Sequence, residues 1–263
     1  MTKDGLLLKY LGQVGFSIKG KTETMLIDPY LSDYVDKNCS DDEVKWVRKY
    51  PAPVLAEELD YVDCILCTHG HYDHADPETL GKIARINKKA KFIVPNPIVD
   101  MVAAYGVEKS RIIGAFADKE IVCGEFRITS VPAAHESLQK NENGEYAELG
   151  YIVETIGIKL FHAGDCCVYD GLSKRIKGVN IAMLPINGRD YYRYSRDIIG
   201  NMNTDEAIEL SRECGVDLLI PTHFDLYDIN QASPAHFVER LFKKGNNQRF
   251  HIFMPAEEYF YDK

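Results

Sequence analysis

The run His69-Gly70-His71-Tyr72-Asp73-His74 follows directly on the stretch Tyr61–Thr68. That stretch, Tyr-Val-Asp-Cys-Ile-Leu-Cys-Thr, is mostly apolar and reads as a buried strand. Four potential metal ligands thus fall within six residues, at a strand end where a rigid scaffold can aim a loop. Imidazole and carboxylate suit zinc and also admit manganese or iron. His69 and His71 lie two apart on an extended backbone, so both can project to one side. Asp73 and His74 follow where the chain must turn, and can address a second point further on, as a two-metal site requires. The bland alternative is a histidine-rich surface turn. Four spaced ligands in a chain with eight histidines weigh against it.

Such a site needs more ligands, and three later strand-like runs deliver them. Phe126–His135 alternates like a strand and ends in a histidine. Leu149–Thr155 followed by Ile158–Asp165 reads as a hairpin ending in Gly164-Asp165. Val216–His223 is another apolar run closing on a histidine. A lone histidine or aspartate after a strand is more often a cap or a core residue. The shared context makes this set stronger than its members.

These residues resemble the metallo-β-lactamase superfamily of metal-dependent hydrolases. Its His-x-His-x-Asp-His motif is matched by residues 69–74, and its later histidine, bridging aspartate and final histidine are similar in place to His135, Asp165 and His223. The resemblance implies that His69, His71 and His135 hold one divalent ion, and Asp73, His74 and His223 a second, with Asp165 between them. Zinc or manganese is implied, with iron admitted. The likeness covers essentially the whole chain, treated as one domain, 1–263. It implies an α/β fold of four αββα layers, with two mixed sheets facing each other, helices outside, and the metals at one edge.

The sequence supports that architecture separately. A chain of 263 residues can bury a large core, and no linker or low-complexity segment divides it. Strand-like runs alternate with helical ones. Helices are predicted over Pro77–Asn87, Pro97–Tyr105, Thr204–Cys214 and Pro234–Lys243, the third starting on Thr204 as cap and stopping at Gly215. A weak repeat relates the hairpin Gly15–Asp28 to the hairpin Gly150–Asp165, as expected of two related halves, with chance similarity between hairpins as the alternative.

No apolar run is long enough to span a membrane, and the first ten residues are too polar for a signal peptide. Seven cysteines without paired secretory spacing fit a reducing cytoplasm. Cys64 and Cys67 sit three apart on a strand and face opposite sides, which argues against a shared metal. Cys166 and Cys167 read as small buried residues beside Asp165. A net charge of −9 without a basic stripe argues against a nucleic-acid partner.

Within the superfamily, Asp165 stands where true β-lactamases commonly carry a cysteine or another pattern. His71 is kept where two-iron electron-transferring relatives carry glutamate. The segments Pro185–Tyr194, Ile199–Ala207 and Ile220–Tyr227 resemble the L-ascorbate-6-phosphate lactonase branch, although this chain is shorter at its amino terminus. That likeness implies a homo-oligomer and hydrolysis of a lactone or related ester, such as a sugar-phosphate lactone, by metal-bound hydroxide. Asp73 and Asp165 would be the catalytic carboxylates, with no serine or cysteine nucleophile.

For a small anionic substrate the candidate contacts are Asn187, Arg189, Tyr191, Tyr192 and Arg193, which combine forked cations with phenols. A solvated loop or a subunit contact is the competing reading. Residues 30–53, including Trp46, form either a lid or an ordinary packed excursion. Glu136 either orients a neighbour or faces solvent, His162 reads as core or supporting, and His236 and His251 as structural. Two other functions stay open, a phosphodiesterase acting on a nucleotide or RNA end and a non-catalytic metal-binding protein.

Overall fold

The computed structural model describes residues 5–245 and 248–262, so the first residues of the polar opening segment lie outside it. Fourteen strands form among the described residues. They are β1 Gly5–Gly12, β2 Gly15–Lys19, β3 Thr24–Ile27, β4 Cys64–Leu66, β5 Lys91–Pro95, β6 Ile112–Ala115 and β7 Glu120–Cys123, then β8 Phe126–Pro132, β9 Leu149–Thr155, β10 Ile158–His162, β11 Ile181–Pro185, β12 Leu218–Thr222, β13 Arg249–Phe250 and β14 Glu258–Asp262. They make two seven-stranded sheets, ordered β14-β1-β2-β3-β4-β5-β6 and β13-β12-β11-β10-β9-β8-β7.

Strand periodicity explains the layers, because successive side chains leave opposite faces of a sheet. Cys64 and Leu66 of β4 point into the core between the sheets, whereas Ile65 and Cys67 point to the outer face. Ile181 and Met183 of β11 face the same central core, and Ala182 and Leu184 the other outer layer. Both faces of the inner strands are covered, which is why they read as near-continuous apolar runs. The expected opposition of Cys64 and Cys67 holds for this reason.

Helices cover the outer faces. α1 Tyr34–Asn38, α2 Pro77–Ile86 and α3 Val99–Ala104 belong to the first half, and α4 Leu172–Ile176, α5 Tyr191–Tyr194, α6 Thr204–Cys214 and α7 Pro234–Lys243 to the second. Leu80 and Ile83 of α2 meet Ile65 and Phe92 of the first sheet, and Ile208 of α6 and Phe237 of α7 meet the second. The layers are therefore αββα, as expected. The predicted helix over Pro97–Tyr105 is instead a 3-10 turn, Asn96–Ile98, leading into α3. The cap of α6 is Asn203 and not Thr204. Its side chain accepts from Glu206 N, while the Glu206 side chain reaches back to the Asn203 N–H. Gly215 closes α6 at φ 69°, the left-handed end expected of it.

The weak repeat has a counterpart in the strand pairing. β2–β3 and β9–β10 are both antiparallel hairpins, and each is followed by three parallel pairings, β3 to β6 and β10 to β13. The carboxyl ends of these parallel strands all open on one edge, the usual place for a site in such sheets. No helix among the described residues is long and apolar enough to cross a membrane.

Replacing Asn203 with alanine removes one half of the capping box and leaves an N–H of α6 unpaired. The expected loss is about 1 kcal/mol in urea unfolding, with the slope of the transition unchanged.

Candidate metal centre

Four strand ends build the centre. His69 stands just past β4, His135 past β8, Asp165 past β10 and His223 past β12, while His71, Asp73 and His74 occupy the loop between β4 and α2. That loop closes on itself, since His74 N and Ala75 N both donate to His71 O at 3.0 and 2.8 Å. The strand ends at Leu66 and residues 68–71 already bend, so a curved loop rather than an extended backbone brings His69 and His71 together, while the tight turn after His71 is the one the spacing of the motif suggested.

The seven side chains form two adjoining groups, His69, His71, His135 and Asp165 in one, and Asp73, His74 and His223 in the other. Within each group one donor atom per residue lies within 4.8 Å of the rest. Asp165 faces both. Its Oδ2 lies 3.6 Å from His135 Nε2, while its Oδ1 lies 3.3 Å from His74 Nε2 and 3.4 Å from His223 Nε2. Asp73 Oδ2 is 3.7 Å from both His74 Nε2 and His223 Nε2.

The donor set fits divalent ions. His69 Nε2, His74 Nε2 and Asp165 Oδ1 are buried with no hydrogen-bond partner among the described residues. Such orphaned lone pairs are costly unless a cation takes them. Burial, and then the neighbouring imidazoles, hold the His69 imidazolium well below its usual range. Burial is also the main reason that His135 is lowered to about 4. Both rings are therefore neutral at pH 7, the form that ligates. Burial works against charge on Asp165, but the His223 and His74 rings outweigh it and hold the carboxyl well below its ordinary value.

A second layer fixes the rings. Asp28 Oδ2 lies 2.8 Å from His74 Nδ1 and accepts from Thr68 Oγ1 at 2.7 Å, while Asp28 Oδ1 accepts from Thr68 N at 2.7 Å. His74 then donates through Nδ1, which leaves Nε2 as the nitrogen turned toward the centre. Gly164, at φ 59°, lets the chain carrying Asp165 pass against Thr68, where a Cβ would come within 2.6 Å of the threonine side chain. His162 bonds Val14 O at 2.8 Å and accepts from Gly164 N at 3.1 Å, so it supports that turn. Gln13, which the motif gives no reason to notice, donates from Nε2 to Asp73 Oδ2 at 2.9 Å.

A cavity of 200 Å³ opens onto His71, Asp73, His135, Asp165 and His223. Its far wall comes from Val35, Cys39 and Trp46 on one side and from Asp197, Ile198 and Ile199 on the other. Residues 30–53 thus form part of the wall and are firmly docked. Tyr30 Oη meets Tyr227 Oη at 2.7 Å, Tyr227 Oη donates to Asp36 at 2.9 Å, and Trp46 packs edge-on to Tyr227.

The five candidate substrate contacts do not line this cavity. Arg189 makes a bidentate pair with Glu206 at 2.7 and 2.6 Å, and Arg193 bonds Asp190, Asn230 and the Gln231 carbonyl. Asn187 is buried and donates to Asn230. Tyr191 and Tyr192 are exposed on the outer surface. These groups brace the segment that carries Ile198 and Ile199, and their charges are already matched. Glu136 accepts from Gly200 N at 3.4 Å and holds the same segment. Cys166 and Cys167 are buried and belong to neither ligand group. His251 pairs with Glu257, while His236 lies outside the centre at the start of α7.

Two mixed sheets carrying this donor set at one edge define the metallo-β-lactamase class of fold. Residues 23–224 match the model of the Beta-lactamase superfamily domain. A UPF0173 metal-dependent hydrolase of Rubrobacter xylanophilus is 28% identical over 266 residues, covering 97% of this chain and 96% of that protein. A second one, from Aeropyrum pernix, is 27% identical over 272 residues and covers 97% of each chain. Among solved structures, Igni18, a metallo hydrolase of Ignicoccus hospitalis, superposes with a TM-score of 0.75 at 20% identity, covering 98% of this chain and 99% of that one. The chain belongs to the metallo-β-lactamase superfamily and is a metal-dependent hydrolase.

Replacing Asp28 with alanine frees the His74 ring and strands the Thr68 donors. Metal affinity measured by chelator competition should fall about 10- to 100-fold. Asp165→Ala, which takes one oxygen from each group, should lower the metal content, and unchanged metal content in both variants would contradict this arrangement.

Proposed function

We propose that the protein hydrolyses an uncharged lactone or related ester at a centre holding two divalent ions, zinc or manganese. The observation that carries this reading is the cavity wall. Val35, Trp46, Ile198 and Ile199 make it apolar, Asp197 is its acidic member, and no lysine or arginine among the described residues lines it. A substrate arm reaching away from the ions therefore meets hydrocarbon and a carboxylate. An apolar arm gains by burial there, whereas an anionic one would lose its hydration without a partner.

A sugar-phosphate lactone such as L-ascorbate 6-phosphate offers the same reacting carbonyl. Its phosphate, however, would have no free cation in the wall, because Arg189 and Arg193 are engaged by Glu206 and Asp190. The wall thus favours lactones without a phosphate.

Divalent ions in this donor set supply an acidified water and polarise a carbonyl oxygen. The remaining work falls to the chain. His69, His71 and His135 would hold one ion, Asp73, His74 and His223 the other, and Asp165 both. The Asp73 carboxylate, which lines the cavity, would hold the attacking water in line. Cys39 is the one thiol in the lining, and burial raises its pKa, so it stays protonated and is a poor nucleophile. Seven free cysteines, six of them buried, suit a reducing cytoplasm as the place of work.

A panel of alkyl lactones, aryl esters and bis-p-nitrophenyl phosphate, assayed with zinc and with manganese, tests the reading. Alkyl lactones should turn over and chelation should abolish the activity. Turnover of the phosphodiester without any lactone hydrolysis would overturn it. Ile199→Lys adds an ammonium to the wall and should shift kcat/KM toward anionic lactones by about tenfold, the effect of roughly 1.4 kcal/mol.

A further inference from the structure

Gln13 sits in the turn between β1 and β2, on the first sheet, and is 2% exposed. Its φ of 59° is left-handed, a conformation that a glutamine adopts only when its surroundings hold it there. His223, at φ 57°, ends β12 on the opposite sheet and donates its backbone N–H to Gln13 O at 2.8 Å. The Gln13 side chain reaches the same place from the other direction. Its Nε2 donates to Asp73 Oδ2 at 2.9 Å and lies 3.3 Å from His223 Nε2.

We propose that Gln13 is a positioning residue for the ion held by Asp73, His74 and His223, gripping Asp73 through its side-chain amide and His223 through its backbone carbonyl. An amide nitrogen is a donor and not a metal ligand, so it acts by fixing the Asp73 carboxylate. The turn is braced for that task. Tyr50 Oη accepts from Gln13 N at 3.3 Å and donates to Asp225 Oδ2 at 2.8 Å. Tyr10 Oη lies 3.0 Å from Gln13 O and 2.8 Å from Asp225 Oδ1. Asp225 follows His223 by two residues, so the phenols tie the turn to the loop that carries the ligand. Gln13 makes no hydrogen bond to His69, His71 or His135, and its effect is selective for one ion.

The inference rests on the two-ion reading, and the experiment separates their failures. Calorimetric titration of the apo-protein with zinc, and the visible spectrum with cobalt, should show two ions per chain. Gln13→Asn keeps an amide that suits the left-handed backbone but is one methylene too short to reach Asp73. It should still fold as apo-protein, with a cooperative melt, and bind the first ion normally. Its second ion should bind about 10- to 100-fold more weakly. Gln13→Met, which fills the volume without a donor, should show the same selective loss. An unchanged second ion in both variants, or equal weakening of both ions, overturns the assignment of Gln13 alone. A wild-type chain that takes up no divalent ion overturns the two-ion reading and this inference with it.

Discussion

Asp28 holds together the side chains on which the centre depends. Its carboxylate is buried, and an ion of that size without partners would cost several kcal/mol. Thr68 answers it with a backbone N–H and a hydroxyl, and His74 with a ring N–H. The same three bonds decide which nitrogen of His74 faces the metal centre. Thr68 in turn lies against Gly164, so the position of Asp165 depends on a contact that starts at Asp28, just past β3 on the first sheet.

Part of the left-handed backbone follows that chain of contacts. Gln13, Asp28 and His223 all take positive φ, and Gly164 joins them. All four lie at the edge where the two sheets meet, next to the ligands. Regular strands would carry the side chains past one another, and a left-handed residue at a strand end turns them toward a common point. The central core and the two outer layers, built from alternation along the strands, leave the rest of the sandwich rigid enough to keep those turns in place.

The cavity shows a different division of work. Its floor is made of ligands and its walls of segments far apart in the chain, 30–53 and 197–199, each held by its own bonds to the loop after β12. Arg189 and Arg193 looked suited to a phosphate because forked cations and phenols stand close together in the sequence. In the folded chain Glu206, Asp190 and Asn230 take those donors first. A guanidinium already satisfied at short range has little left to offer a substrate.

The sequence by itself determined the ligand types, the strand ends that carry them and the α/β class, while the layering was what the resemblance to the superfamily implied. Each rests on local chemistry, whether a period of two in apolar runs, a turn after His71 or a histidine after a strand. Helices with strong boundaries, Pro77–Ile86, Thr204–Cys214 and Pro234–Lys243, were legible for the same reason. Only the tertiary structure decided how Asp28 and Gln13 serve the centre, which residues wall the cavity and that the arginines are spent on ion pairs. Those facts depend on contacts between residues tens to hundreds of positions apart, such as Gln13 with His223. No local pattern encodes such pairs, because the sheets must first pack before the two side chains share a neighbourhood.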